Sequence, residues 1–355
     1  MTARSSARPP HGPHRPPSGV GATPDLVVRL SQPHERDDVL RFIAAMGFNP
    51  RDAVTWDGLA MLAMTAWYGQ RLIGAIPLEP RPFQLAPGQV IRAVHQTTVA
   101  VAPEFRSRGV GSRMQAAIAA HDPPLAPLAT VFREEPASPA YRWYVRNGFS
   151  PALTIRAWLL AEPGGAVGPG EQGAGRLPAT FSTHDASEKA IDWAAVGTLW
   201  DRTYGARHGG FVSRTERLRQ DWLRAHPYRS QYKFKVLLIH DATGALAAYA
   251  ILGIGRLHSE TTRVEIMEHA ARTPDPRWLR MLIAEVAGLA ARSGYRPVRW
   301  AMAADDPRAT LARRCGFVPD MQFDLLTRPL GSSGARLPDA AERRRRWRYH
   351  SLDYA

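Results

Sequence analysis

The chain has 355 residues, 45% of them hydrophobic, with a formal net charge of +14 and one cysteine, Cys315. That length exceeds one ordinary domain; no run of about 18 apolar residues offers a membrane span, and one cysteine rules out an internal disulfide or a Cys-rich zinc site. The only lysines are Lys189, Lys233 and Lys235, so the positive excess is arginine, read as codon bias with a few arginines kept for a phosphate ligand.

Residues 1–24 carry no apolar segment, so they are not a secretory signal and are expected to be a disordered tail. DLVVRL (25–30) predicts a short strand. PHERDDVLRFIAAMGF predicts a helix with Val39, Phe42 and Ile43 on one face and Gly47 at its end. Strands at 60–67 and 70–79 are expected to form a hairpin around Tyr68-Gly69. A strand over 89–101 leads into a glycine-rich turn, a helix at 111–120, a strand at 127–132, a helix at 138–147 and a strand at 152–161. This first block covers 25–161.

Residues 162–179 are rich in Gly, Pro and Ala and read as a linker. Over 180–330 the element order returns: a strand, a helix ending near Tyr204, a hairpin around Ala242-Thr243-Gly244, and a strand RVEIMEHAA. The long amphipathic helix PRWLRMLIAEVAGLAARSG follows, then a strand, a short helix and a last strand MQFDLLTR. The repetition predicts tandem copies of one α/β (α+β) fold. Residues 331–355 form a basic tail. Its run ERRRRWRYH is read as solvated in preference to a nucleic-acid contact.

The chemistry gathers at VAPEFRSRGVGSRM (101–114), between a strand and a helix. Glycines at 109 and 111 let successive backbone N–H groups converge on an anion, and the helix N-terminus adds its positive dipole end. Arg106, Arg108 and Arg113 supply formal charge. A P-loop is excluded because no Lys-Ser/Thr follows, and a dinucleotide fingerprint would need glycine where Met114 stands. One β-α unit later comes YRWYVRNGF, which sets Tyr144 four residues before Gly148-Phe149.

Together, Val101-Ala102-Pro103, Arg106-x-x-Gly109-x-Gly111 and Tyr144-x-x-x-Gly148-Phe149 resemble the acyl-CoA motifs of the GNAT acetyltransferase superfamily. The tandem layout resembles its enhanced-intracellular-survival acetyltransferases, without their sterol-carrier-like third domain. The resemblance implies two tandem domains, each a mixed, mostly antiparallel sheet flanked by helices. It implies acetyl-CoA as co-substrate, with Val99, Ala100 and Val101 bonding the pantetheine arm. Arg106, Ser107, Arg108, Gly109, Val110, Gly111 and Ser112 would hold the pyrophosphate. Tyr144 would protonate the departing thiolate.

The base that deprotonates the acceptor is left between His95, on the strand before the turn, and Glu135, which with Glu134 resembles the Ser-Glu pair before the family's tyrosine helix. The family's terminal carboxylate, here of Ala355, is a third candidate. The second block lacks the glycine turn and carries Ala312 where the first has Tyr144, so it is read as a degenerate copy that completes the acceptor pocket. Trp56, Trp67 and Trp143 are read as acceptor-side aromatics.

The expected function is N-acetylation of a primary amine by direct attack, in a reducing cytoplasm, with no metal, membrane or nucleic-acid partner. The alternatives are a CoA-sensing or anion-binding module without turnover, an O-acyltransferase, and a longer-chain acyltransferase. The sequence leaves homo-oligomer formation open.

Overall fold

The computed structural model describes residues 25–48, 62–86, 88–134, 136–162, 178–204, 210–211, 232–256, 262–272, 275–331 and 336–347. The first half opens with β1 (Leu26–Leu30), α1 (Arg36–Ala45), β2 (Leu62–Tyr68), β3 (Arg71–Ala86) and β4 (Gln89–Gln96). It continues with β5 (Ala100–Val101), α2 (Val110–Ala120), β6 (Leu128–Glu134), α3 (Pro139–Arg146) and β7 (Ser150–Leu160). The second half comprises β8 (Ala179–Asp185), α4 (Trp193–Thr203), β9 (Gly210–Phe211), β10 (Tyr232–Asp241), β11 (Leu246–Gly255) and β12 (Arg263–Ala271). It ends with α5 (Pro276–Arg292), β13 (Val298–Ala303), α6 (Arg308–Arg314), β14 (Val318–Pro329) and α7 (Ala340–Arg346).

All the described strands belong to one mostly antiparallel sheet, ordered β1-β2-β3-β4-β6-β14-β7-β13-β12-β11-β10-β8, with β5 and β9 paired to β3. The halves exchange their last strands. Beyond β6 lies β14 from the second half, and beyond β13 lies β7 from the first. The two exchanged strands then pair with each other. Packing follows the exchange. Trp158 and Leu160 of β7 are buried in the core beneath α5 and α6. Leu326 and Leu330, in and just after β14, are buried beneath α2 and α3. Each such side chain withdrawn from water contributes roughly 2–3 kcal/mol. The divide at 162–179 is therefore a divide of the chain but not of the sheet.

Two predicted boundaries move. The strand expected to stop at 79 runs on to Ala86, through Pro80 and Pro82. Proline belongs on strand edges, and the β2–β3 register ends at Leu62–Leu78, so both prolines fall where β2 no longer needs an N–H. The strand expected over 89–101 breaks at 97–99, dividing β4 from β5.

The basic run expected to be solvated is anchored to the sheet at Arg343 and Trp347. Asp339 caps α7 by accepting from the Glu342 amide, Arg343 donates to the Ala152 carbonyl, and Trp347 is fully buried. The Trp347 indole meets Phe83 edge to face at 5.0 Å and donates to the Leu85 carbonyl. An indole in a basic run still buries its apolar ring where a groove accepts it and its N–H finds a partner. Among the described residues no helix is long and apolar enough to cross a membrane.

Candidate functional site

β4 and β6 run parallel, yet their register covers only Ala93–Leu128, Val94–Ala129 and His95–Thr130. Past those pairs the strands part. β5 returns to pair with β3 through Gly74–Val101 and Ala75–Ala100. Among the described residues no strand pairs with its other edge. A cleft therefore opens between 97–101 and the end of β6. Its root is held by two buried amides that bond each other reciprocally: Gln96 of β4 donates to Gln115 of α2 at 3.1 Å, and Gln115 donates back at 2.6 Å.

The glycine turn stands at one end of this cleft. A single 3-10 turn at Pro103–Phe105 leads into it, and Arg106 Nε donates to the Val101 carbonyl at 3.0 Å. Ser107, with φ +60°, is the sole non-glycine residue with left-handed backbone among the described residues, and Gly109 follows at φ +78°. Left-handed backbone costs an L-residue roughly 1–2 kcal/mol, and its alternation with right-handed residues turns amides toward one point. Gly109 occupies the N-cap of α2 with no side-chain cap. Among the described residues no main-chain carbonyl accepts from the amides of Ser107 to Ser112. A Cβ on Gly109 would project into open space, whereas one on Gly111 would lie 3.0 Å from the Trp143 ring. Arg108 stacks over Phe105 at 5.7 Å. Arg106, Ser107, Arg108 and Gly109 are exposed, while Val110 is buried and anchors the helix.

Tyr144 lies on α3, which begins at the Ser138 cap and Pro139 and ends before Gly148 at φ +86°. Its side chain is 1% exposed, with Trp143 and Phe149 edge-on at 4.8 and 5.2 Å. Arg133 of β6 donates to the Tyr144 hydroxyl at 2.8 Å, and its guanidinium carbon lies 4.7 Å from the ring centroid. The hydroxyl oxygen accepts from a cation, which leaves its own proton available to a second partner. One turn earlier, Tyr141 donates to Asp324 of β14 at 2.9 Å. Burial, then the hydrogen bond to Asp324, pushes the Tyr141 phenol above its ordinary range. Sequence reading missed Arg133, Tyr141 and Asp324. The tyrosine spacing of three along α3 is visible in the sequence, but the strand that carries Asp324 is not predictable as a neighbour.

His95 points to the opposite face of the sheet. Its ring is buried, Nδ1 lies 2.9 Å from Thr130 Oγ1, and Phe132 is 5.2 Å away. Burial, reinforced by the charges of Arg81 and Arg133, holds it well below the ordinary histidine range, so the ring is neutral. Opposite His95 on β3 is Glu79, ion-paired with Arg81. The Trp143 ring packs on the start of α2, beside Gly111. Trp67 stacks beneath Arg29. Glu135, Trp56 and Ala355 lie outside the described residues. Among the described residues no three His, Cys, Asp or Glu side chains gather to hold a metal ion.

No family model matches the sequence, and no curated protein does. Solved structures match across both halves. A probable N-acyltransferase from Enterococcus faecalis V583 is 15% identical over 86% of this chain and 72% of that one, with a TM-score of 0.66. A tandem GNAT protein from the clavulanic acid biosynthesis pathway is 16% identical over 86% of this chain and 99% of that one, at 0.55. Eis1 from Mycobacterium abscessus is 15% identical over 86% and 73%, at 0.51. The fold is that of the tandem GNAT acetyltransferases.

Proposed function

We propose that the chain moves an acetyl group from acetyl-CoA to a primary amine by direct attack in a ternary complex. One observation carries the reading: six consecutive amides, Ser107 to Ser112, find no main-chain acceptor among the described residues, at a helix N-terminus beside a strand cleft whose far wall holds Tyr144. Such amides suit a diphosphate, and the open β5 edge suits the amide groups of a pantetheine arm. The Val101 carbonyl already accepts from Arg106, so Val99 and Ala100 are the freer positions on that edge.

The amine attacks the thioester carbon, the new C–N bond forms, the C–S bond breaks, and sulfur leaves as a thiolate. Tyr144 gives its proton to that sulfur, and Arg133 stabilises the phenolate that remains. This order needs no covalent enzyme intermediate. His95 is a poor base in this setting: a ring that burial keeps from charging has little driving force to accept a proton. We assign it to holding Thr130 at the root of the cleft and leave the ammonium proton of the acceptor to Glu135. Glu135→Gln tests that assignment by the loss of the acidic limb of kcat.

The primary test is free-thiol release from acetyl-CoA with a panel of primary amines, with product mass read in parallel. Tyr144→Phe is expected to lower kcat about 10²- to 10³-fold while acetyl-CoA affinity stays within about twofold. Undiminished turnover in that variant refutes the donor assignment. Acetyl-CoA binding with no transfer to any amine favours the sensing module, and acetylation at a hydroxyl favours the O-acyl reading.

A further inference from the structure

We propose that Asp324, carried into the first half by the exchanged strand β14, is a positioning residue for the proton donor Tyr144, acting through Arg133 and Tyr141. The proposal rests on the assignment of Tyr144 made above.

Four buried or half-buried polar side chains from three elements meet on one face of the sheet. Asp324 stands directly across the β14–β6 ladder from Arg133. Directly opposed side chains in an antiparallel pair have their Cβ atoms about 5 Å apart, close enough for opposite charges to act on each other. No ion pair closes between them among the described residues. Arg133 turns its Nη2 to the Tyr144 hydroxyl at 2.8 Å, and Asp324 Oδ2 accepts from Tyr141 at 2.9 Å. Both have atoms to spare: Arg133 Nε and Asp324 Oδ1 are buried with no hydrogen-bond partner among the described residues.

Asp324 itself is 5% exposed and Tyr141 8%. A carboxylate at that depth with one hydrogen bond is unfavourable by itself; a guanidinium across the ladder offsets it. The same electrostatics fix where Arg133 can go. Its stem leaves the strand across the ladder from a negative charge and its head reaches the phenol. Tyr141 and Tyr144, one turn apart on α3, are thereby tied to two neighbouring strands, one from each half. When Tyr144 loses its proton to sulfur, the Arg133 cation already faces the developing charge, and little has to reorganise. Turnover in the first half thus draws on a side chain that only the second half provides.

The charged group in contact with Tyr144 is Arg133 of β6, with Asp324 of β14 across the ladder from it; Arg328 of β14 donates to the Gln115 carbonyl of α2 and lies beside Gly148. Removing the carboxylate leaves the Arg133 cation without its opposed charge, so the pH dependence of turnover is the readout that separates an electrostatic role for Asp324 from a packing one.

The test uses the full chain with acetyl-CoA and the best amine of the panel. Asp324→Asn keeps shape and a hydrogen-bond acceptor for Tyr141 but removes the charge. It is expected to lower kcat about tenfold, leave acetyl-CoA affinity within twofold and move the alkaline limb of the kcat profile to lower pH. Asp324→Glu should restore part of kcat and return that limb toward wild type. Should the Asn variant fail to fold, Asp324→Ser replaces it with the same expectations. Tyr141→Phe retains the charge, so it should lower kcat without moving the alkaline limb.

An unmoved limb in the Asn or Ser variant, or kcat within twofold of wild type, overturns the inference while Tyr144→Phe stays impaired. Full activity in Tyr144→Phe overturns the donor assignment instead, and with it the premise here. No thiol release by the wild-type chain overturns both.

Discussion

The two halves begin their long crossover helices in opposite ways. In the first, α2 starts at a left-handed Gly109 with no side-chain cap. In the second, α5 starts at Asp275, whose carboxylate accepts from the Arg277 amide and also grips the Arg277 guanidinium. That pairing, chiefly the hydrogen bond from the Arg277 side chain, holds the Asp275 carboxyl below its usual range. One helix starts with no side-chain cap; the other carries its own carboxylate there.

The interior repeats the contrast. Arg133 engages one phenol and keeps a buried nitrogen without a partner. Arg308, its buried counterpart in kind, binds Asp306 through Nε and Nη2, and Tyr204 and His269 through Nη1. Where Tyr144 stands on α3, α6 has the fully buried Ala312. The two halves share a fold and differ in how completely these buried polar groups are satisfied.

The comparison breaks hardest if the first half works alone. A fragment ending at residue 161 lacks β14 and is expected to show neither a cooperative melt by circular dichroism nor acetyl-CoA binding by calorimetry. A folded, binding fragment would deny that the halves depend on each other. Next in size is Gly111→Leu, which must push the Trp143 ring away from the start of α2. Acetyl-CoA affinity should fall about tenfold or more, because that side chain grows at the anion-binding end; unchanged affinity would move the ligand elsewhere. Smallest is Asp275→Ala. It removes a cap the second half needs only for itself, so Tm should fall by a few degrees at most with kcat and acetyl-CoA affinity untouched. A change in affinity there would mean that the second half also takes part in binding.

Much of this was legible in the chain because it is local. The turn from Arg106 to Gly111 announces itself by glycine where left-handed backbone is needed, and α3 by Ser138-Pro139 at one end and Gly148 at the other. β12 falls at RVEIMEHAA, the segment its composition predicts. What could not be read is non-local. Period-two alternation in MQFDLLTR marks a strand but does not say that its neighbours are β6 and β7. Asp324 therefore looked like an ordinary polar residue on a distant strand, although it faces Arg133. Trp347 misled for the same reason: its basic neighbours signal solvent, and only the tertiary groove beside Phe83 reveals its burial. The strand expected to stop at 79 continues through Pro80 and Pro82 because β4 pairs with it there, which the local sequence does not show.

The exchanged strands also shape how the molecule must be made. During synthesis β6 emerges early, but its partner β14 is the last described strand to leave the ribosome. Until then the nascent sheet exposes an open ladder of main-chain donors and acceptors, the kind of surface that recruits other chains. Long-range pairing of this sort slows the approach to the native state. The topology thus predicts that newly made chains aggregate more when chaperones that shield extended segments are withdrawn, which a pelleting assay on nascent chains would check.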